Sequence, residues 1–546
     1  MSFDKLLRHE LALPLLLTAL LSLPVVFLLA PLPIDETRYL AVAWEMRLGG
    51  EYLVPHLNGD LYWQKPPLLF WLINAGWTLT GVHAWTARAL TVIYALASLV
   101  LVHALTLRLG ATRESARNAA WLLAGAIYFA LFSNMIMFDV LLTVWVLLAL
   151  LGVCDLVDAR YGRGILVAGV AIGLGVLSKG PVMLLLIGAA ALLAPWWAAD
   201  RLQGRRARYF GMLAVAILLG AAIALAWAIP AAIHGGEEYR RAIFLNQTLD
   251  RINGVKGTSA HRRPLWWYLL VFPAMLLPWP LVVRGNLTRM RALLSAVPLR
   301  FALAWLLPTF IVFSLVSGKQ PHYLLPLIPA VAIVVAIGLE AQALRLRTGL
   351  LGVVLVVLGI LLATVHAGSF GAAIRAYASD LSPWWGIVIA GLGVGLLSAR
   401  SRITQPLAPA LAVLVFALLV KLAIVQGPGT RFDITPMARQ IAALQARGET
   451  VAHVGRHHGV YEFAGRLTKP LPTFETLHEF EAWAREHPDA YVATFYRRFR
   501  FRAPPLFTQP FRGVEASLWK VSDGMAAGID PNISHSGDEA DENADD

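Results

Sequence analysis

At 546 residues, 58% hydrophobic and only 15% charged, with a mean hydropathy of +0.63, the chain is too apolar for a soluble protein, which carries about a quarter charged residues. Its net charge of +12 does not require nucleic acid, because the arginines fall between apolar blocks, where a topology signal belongs. The lone cysteine, Cys154, excludes an intrachain disulfide and a cysteine-based metal cage, and reads as a small apolar residue near a span end.

Apolar blocks near the roughly 17–25 residues needed to cross a bilayer recur along the chain, and a helix is the form that satisfies its own backbone there. The first, 10–32, is longer than a typical cleavable signal core and is expected to be retained. Further spans are expected near 85–108, 116–133, 136–153, 164–178, 181–199 and 210–232. Six more follow near 264–283, 300–316, 322–341, 348–367, 383–399 and 405–426, about thirteen in all. If Lys5 and Arg8 are cytoplasmic, every connection on their side is arginine-rich. These connections carry Arg108, Arg113 and Arg117, then Arg160 and Arg163, then Arg201, Arg205, Arg206 and Arg208. Arg284, Arg289 and Arg291, then Arg345 and Arg347, then Arg400 and Arg402 complete the series. That is the positive-inside pattern.

The opposite side is built differently. A first loop, 33–84, is too polar to span and holds aromatic groupings (Tyr39, Trp44; Trp71, Trp77) that suit helices lying in the interface. A second loop runs over 233–263. From 427 to 527, helical patterns (Thr435 to Arg447, Leu477 to Glu486) alternate with short strand-like runs (Thr450 to Val454, Ala490 to Phe495, Glu515 to Val521). This predicts a small soluble α/β domain after a membrane domain covering 1–426. The acidic stretch 528–546 reads as a disordered tail.

Chemistry-capable residues gather on that same side. After the first span comes Asp35-Glu36-Thr37-Arg38-Tyr39, then Tyr62-Trp63-Gln64-Lys65-Pro66-Pro67. Asp139 stands at the start of the fourth span and Ser178-Lys179-Gly180-Pro181 at the end of the fifth. The second loop adds Lys256, His261, Arg262 and Arg263, and the connection 317–323 adds Lys319 and Tyr323. Carboxylates among several cations suit a phosphate-bearing ligand with a carboxylate kept for chemistry. Plainer readings stand beside this one. Asp35 and Glu36 suit a helix start, Lys65 suits a membrane-surface anchor, and His261 alone is more often a surface residue than a ligand. Trp266-Trp267 and Trp384-Trp385 read as interface belts. Asp139 and Lys179 resist the plain reading, since ionisable groups inside spans are costly without partners.

The acidic pair after the first span, Tyr62-x-x-Lys65-Pro66-Pro67, Asp139 and the Ser-Lys-Gly-Pro step together resemble the GT-C membrane glycosyltransferases. Within that class the chain is similar to bacterial lipid A aminoarabinose transferases, related to protein O-mannosyltransferases. The resemblance implies inverting transfer of 4-amino-4-deoxy-L-arabinose from undecaprenyl phosphate to lipid A at the periplasmic face of the bacterial inner membrane, by a monomer that needs no nucleic acid. Resistance to cationic peptides such as polymyxin follows from the family. It makes Asp35 the catalytic carboxylate and Asp139 a second one, or the group orienting the amino sugar. Arg38, Lys65, Arg262 and Arg263 would hold the donor phosphate, with Tyr39 and Tyr62 in the same motifs and Lys179, Lys319 and Tyr323 in the same cavity. The family's glutamate before the lysine is associated with a divalent metal such as zinc; here Gln64 stands in its place, and His261 is the remaining candidate ligand. The same machinery acting on a protein or another glycan, and a lipid-linked sugar transporter, stay open as alternatives. Clustering of charge at one face rather than at the midplane weighs against transport.

Overall fold

The computed structural model describes residues 11–246, 263–365, 380–400, 403, 405–496 and 499–530. The arginines or lysines expected at 5, 8 and 402, most of the second loop including Lys256, His261 and Arg262, and the tail beyond 530 lie outside the described residues. The chain forms two compact units, one of Met1–Leu28, Trp63–Leu69 and Trp85–Gly427, the other of Leu29–Tyr62, Phe70–Ala84 and Pro428–Asp546.

The first unit is a helical membrane body. Among the described residues, seven helices are long and apolar enough to cross a bilayer: Ala84–Arg108, Phe138–Val157, Tyr161–Lys179, Arg206–His234, Val297–Leu315, Pro321–Glu340 and Leu407–Gln426. Shorter apolar helices include Ala12–Leu28, Gly349–Thr364 and Pro383–Ala399. Three expected spans are interrupted. The 116–133 block splits into Arg113–Ala124 and Ile127–Phe132 around Gly125, where a side chain would strike Ala410 and Trp279. The 181–199 block breaks at Leu193 before Pro195, and the 264–283 block breaks near Pro278. Small residues let neighbouring helices close up: Gly359 and Gly386 face each other's backbones in the hairpin of Gly349–Thr364 and Pro383–Ala399.

At one end of this unit three of the arginine-rich connections meet two aspartates. Arg108 pairs with Asp155 at 2.7 Å and Asp158 at 2.5 Å, Arg163 reaches Asp155 at 3.0 Å, and Arg201 reaches Asp158 at 3.5 Å. Part of the basic excess read as a topology signal is therefore neutralised locally. Cys154 is buried beside this cluster and carries a free thiol.

The second unit joins the first loop to the C-terminal segment. Helix Asp35–Gly49 begins with two acids, ends with Arg47, and stops at Gly50, whose φ of +67° suits a left-handed cap. A five-stranded sheet runs in the order Thr473–Phe474, Val451–Val454, Tyr491–Thr494, Val514–Lys520, Phe507–Phe511. The first three strands are parallel and the last two antiparallel. Alternation sorts its side chains into two cores. Val451, Ala493 and Leu518 face Met437 and Ile441 of helix Thr435–Ala446. Ala452, Val492 and Trp519 face Phe480 and Ala484 of helix Leu477–Glu486. The first-loop residues bind to this α/β body: Trp44 donates to the Leu467 carbonyl at 2.8 Å, Asn58 exchanges two hydrogen bonds with the Leu471 backbone, and Trp77 stacks on Phe463 at 5.5 Å.

Candidate functional site

The motif residues fall into two sets, one in each unit. In the membrane unit the start of helix Phe138–Val157 puts Asp139 in its first turn, and the end of helix Tyr161–Lys179 supplies Lys179. Their side chains form a hydrogen-bonded ion pair with only 4% and 7% exposure. Lys179 also lies over the Tyr323 ring, 4.5 Å from its centroid. Tyr323 stands in the tight helical turn Pro321–Leu327, which Tyr268 braces by donating to the Gln320 carbonyl at 3.0 Å. Two opposite charges in this setting offset each other's burial where either alone would be costly.

Lys319 is buried as well, but its ammonium donates to the carbonyls of Arg263 at 3.0 Å and Val316 at 2.5 Å. It ties residue 263 to the connection 316–319, with the Arg263 amide returning a bond to Ser317. Arg263 is exposed, its guanidinium 5.8 Å from the Trp267 ring centroid. Lys65 is half-buried beside two buried prolines, and Gln64 is exposed. Trp266 and Trp384 are exposed on the membrane unit, as belt residues would be.

In the second unit Asp35 and Arg38, one helical turn apart, pair at 2.6 Å with 39% and 19% exposure. Neither acid caps this helix, whose N-cap Ile34 has no side-chain cap hydrogen bond. Glu36, almost wholly buried, accepts from the Leu32 amide at 2.8 Å, whereas Asp35 faces Arg38. Tyr39 and Tyr62 are buried against Phe70. Burial, with the Asp35 charge adding to it, pushes the Tyr39 phenol well above its usual range, so it stays protonated.

Sequence reading passed over a second group of ionisable residues in this unit. Glu462 and His457 pair at 2.9 Å with little exposure, and His453 is fully buried. Glu45 accepts the amides of Asn58 and Gly59. Burial, together with the Arg38, Arg512, His457 and Arg456 charges, lowers the His458 imidazole to about 4. Gly459 follows, at φ +68°, where a side chain would strike Leu57 and crowd Ala41 and the Arg38 backbone, so this histidine turn lies directly on the helix bearing Asp35. The dipeptide His457-His458 next to a glycine was the available signal.

The fold has counterparts among solved structures. It superposes on the crystal structure of ArnT from Cupriavidus metallidurans bound to undecaprenyl phosphate with a TM-score of 0.71, covering 96% of this chain and 99% of that one at 18% identity. The apo form of the same protein gives 0.74 over 95% and 98%. Its fold is of the GT-C type. In sequence, residues 64–234 match the family described as dolichyl-phosphate-mannose-protein mannosyltransferase. The chain is 32% identical to the undecaprenyl phosphate-alpha-4-amino-4-deoxy-L-arabinose arabinosyl transferase of Pseudomonas aeruginosa (strain LESB58), over 58% of this chain and 56% of that protein. It is 30% identical to the protein of the same name from Edwardsiella ictaluri, over 59% and 60%. The matched segments thus span a little over half the length of these curated relatives. Within this GT-C fold, among the described residues no group of three or more histidine, cysteine, aspartate or glutamate side chains is arranged to hold a metal ion. Gln64 offers a neutral amide where the resemblance implies a carboxylate, a weaker donor to a divalent cation.

Proposed function

We propose that this protein is a polyprenyl-phosphate-dependent glycosyltransferase that moves 4-amino-4-deoxy-L-arabinose from undecaprenyl phosphate to a phosphate of lipid A. We place the reaction at the periplasmic face of a bacterial inner membrane. The reading is supported by the GT-C fold over nearly the whole chain, by relatives at 30–32% identity bearing that name, and above all by the sealed Asp139–Lys179 pair under Tyr323.

The transfer is a direct displacement. An oxygen of the acceptor phosphate attacks the anomeric carbon, the bond from that carbon to the donor's phosphate oxygen breaks, and the electron pair leaves with undecaprenyl phosphate, inverting the configuration. Negative charge grows on the leaving phosphate, so fixed cations lower the barrier. Lys65 and Arg38 are assigned to that charge, with Arg262 and Arg263 as further phosphate ligands. Asp139, paired with Lys179, is assigned to the sugar's ammonium group. A phosphate monoester has a second pKa of about 6 and is largely ionised at neutral pH, so Asp35 has at most a residual proton to remove, and otherwise orients the acceptor.

The test is to incubate purified protein in lipid nanodiscs with undecaprenyl-phosphate aminoarabinose and lipid A, and to identify products by mass spectrometry. Aminoarabinose-modified lipid A, formed without any ion gradient, is expected. An unmodified lipid A pool beside a consumed donor, or sugar attached to a protein hydroxyl, would overturn the acceptor assignment.

A further inference from the structure

Helix Leu407–Gln426 carries one lysine near its end in an otherwise apolar sequence, LAPALAVLVFALLVKLAIVQ. An amine inside a span is expensive and calls for a reason. Lys421 is buried, and its ammonium donates to the Ala130 carbonyl at 3.0 Å and to the Asn134 side-chain oxygen at 2.6 Å. Ala130 belongs to the short helix Ile127–Phe132, after which the chain leaves helical geometry until Phe138. The Ser133 hydroxyl donates to the same Ala130 carbonyl at 3.2 Å.

This break poses a definite problem. A helix end leaves its last carbonyls without intrahelical partners, and irregular backbone at membrane depth persists only where protein groups satisfy it. Ser133 and Asn134 are 2% and 1% exposed. Thr18 and Ser22 of the first helix line the same small cavity as Ser133, Asn134 and Lys421. The lysine is thus the donor that completes a polar lining around an interrupted helix. The linker it holds runs into the first turn of helix Phe138–Val157, where Asp139 meets Lys179.

We propose that Lys421 is a positioning residue for Asp139. It pins the linker 133–137 and so fixes where helix Phe138–Val157 begins and where its carboxylate stands. Its contact is with the linker, and its effect on transfer passes through Asp139. The inference rests on the transfer reading above, and its test is chosen to separate the two.

Lys421→Met keeps the length and apolar stem but removes every donor; Lys421→Gln keeps an amide that still reaches one acceptor. In the full chain in nanodiscs, Lys421→Met is expected to lower kcat about tenfold or more with donor KM within about twofold, and Lys421→Gln to recover part of that loss. Combined with Asp139→Asn, it is expected to add no further loss, because residues acting through one another are not additive. Hydrogen exchange at the amides of 133–137 should speed up in Lys421→Met while the C-terminal sheet is unchanged. Additive losses in the double variant, or wild-type kcat in Lys421→Met, would overturn the proposal. If Lys421→Met does not fold, the same cycle is run with Lys421→Gln. If the parent protein transfers no sugar, the reaction reading fails by itself, and unchanged linker exchange would still overturn the pinning.

Discussion

Two aspartate–cation pairs, one in each unit, carry motif residues, and their aspartates differ about tenfold in exposure. Asp139 and Lys179 are sealed at 4% and 7%, whereas Asp35 and Arg38 are open at 39% and 19%. A sealed pair cannot lose one member without leaving an uncompensated charge, which costs about 3–5 kcal/mol. An open pair is worth about 0–1 kcal/mol, because water and salt compete with it. The sealed pair therefore presents a fixed charge to the sugar, and Asp35, the more exposed carboxylate, has room to shift as the acceptor arrives. Burial, more than residue type, separates the two carboxylates into a holder and a worker.

The comparison breaks first at Lys179. Lys179→Met is expected to lower the stability of the membrane unit by about 3 kcal/mol and turnover by about a hundredfold or more, with Lys179→Met/Asp139→Leu regaining stability but not turnover. Thermal unfolding in detergent with parallel transfer assays checks this. Equal stability for the single and double variants would remove the pair's structural role. A smaller effect is expected at Lys65, half-buried and next to prolines. Lys65→Ala should weaken binding of undecaprenyl phosphate about tenfold, the scale of one charge-assisted hydrogen bond to a phosphate. Unchanged affinity by calorimetry would return Lys65 to a surface-anchor role.

Much of the architecture was legible beforehand. Helix Ala84–Arg108 and three of the five strands of the C-terminal sheet lie within a residue or two of expectation, because apolar runs report burial directly, whereas the short strand Thr473–Phe474 and the strand Phe507–Phe511 were not expected. Hydropathy was blind to continuity: the block 116–133 has the length of a span, yet it breaks at Gly125, where Ala410 and Trp279 crowd in from distant sequence. The same blindness hid Lys421, whose partners, Ala130 and Asn134, are nearly three hundred residues away. In the motif after the first span, sequence named both acids but could not divide their labour, since only the fold shows Glu36 turned back to the Leu32 amide and Asp35 left facing Arg38.

The second unit also holds a pH-dependent element that the membrane unit lacks in this account. His458 is kept neutral in the folded state by burial and by nearby arginines, with its pKa lowered to about 4 from an ordinary 6.5. Because the unfolded chain takes up the proton first, this histidine's stabilising contribution is full above about pH 6.5 and is lost as the pH falls toward 4. The midpoint of thermal unfolding followed through Trp519 and its neighbours should drop across that window, and His458→Gln should flatten the drop. An identical pH profile in the variant would assign the acid sensitivity elsewhere. The effect is on the order of 3.4 kcal/mol at most, and it leaves turnover at neutral pH unchanged only if the histidine turn still seats on the Asp35 helix.

The most direct test of the division between holder and worker is single-turnover transfer by Asp35→Asn at saturating donor. Asparagine keeps the size and one acceptor but loses charge and basicity, and the pair it disrupts is a weak one. The account predicts that the variant keeps the parent's thermal midpoint and donor affinity while the rate of sugar transfer falls about a hundredfold, the scale of a lost orienting contact. A well-folded Asp35→Asn protein that transfers at close to the parental rate would contradict it.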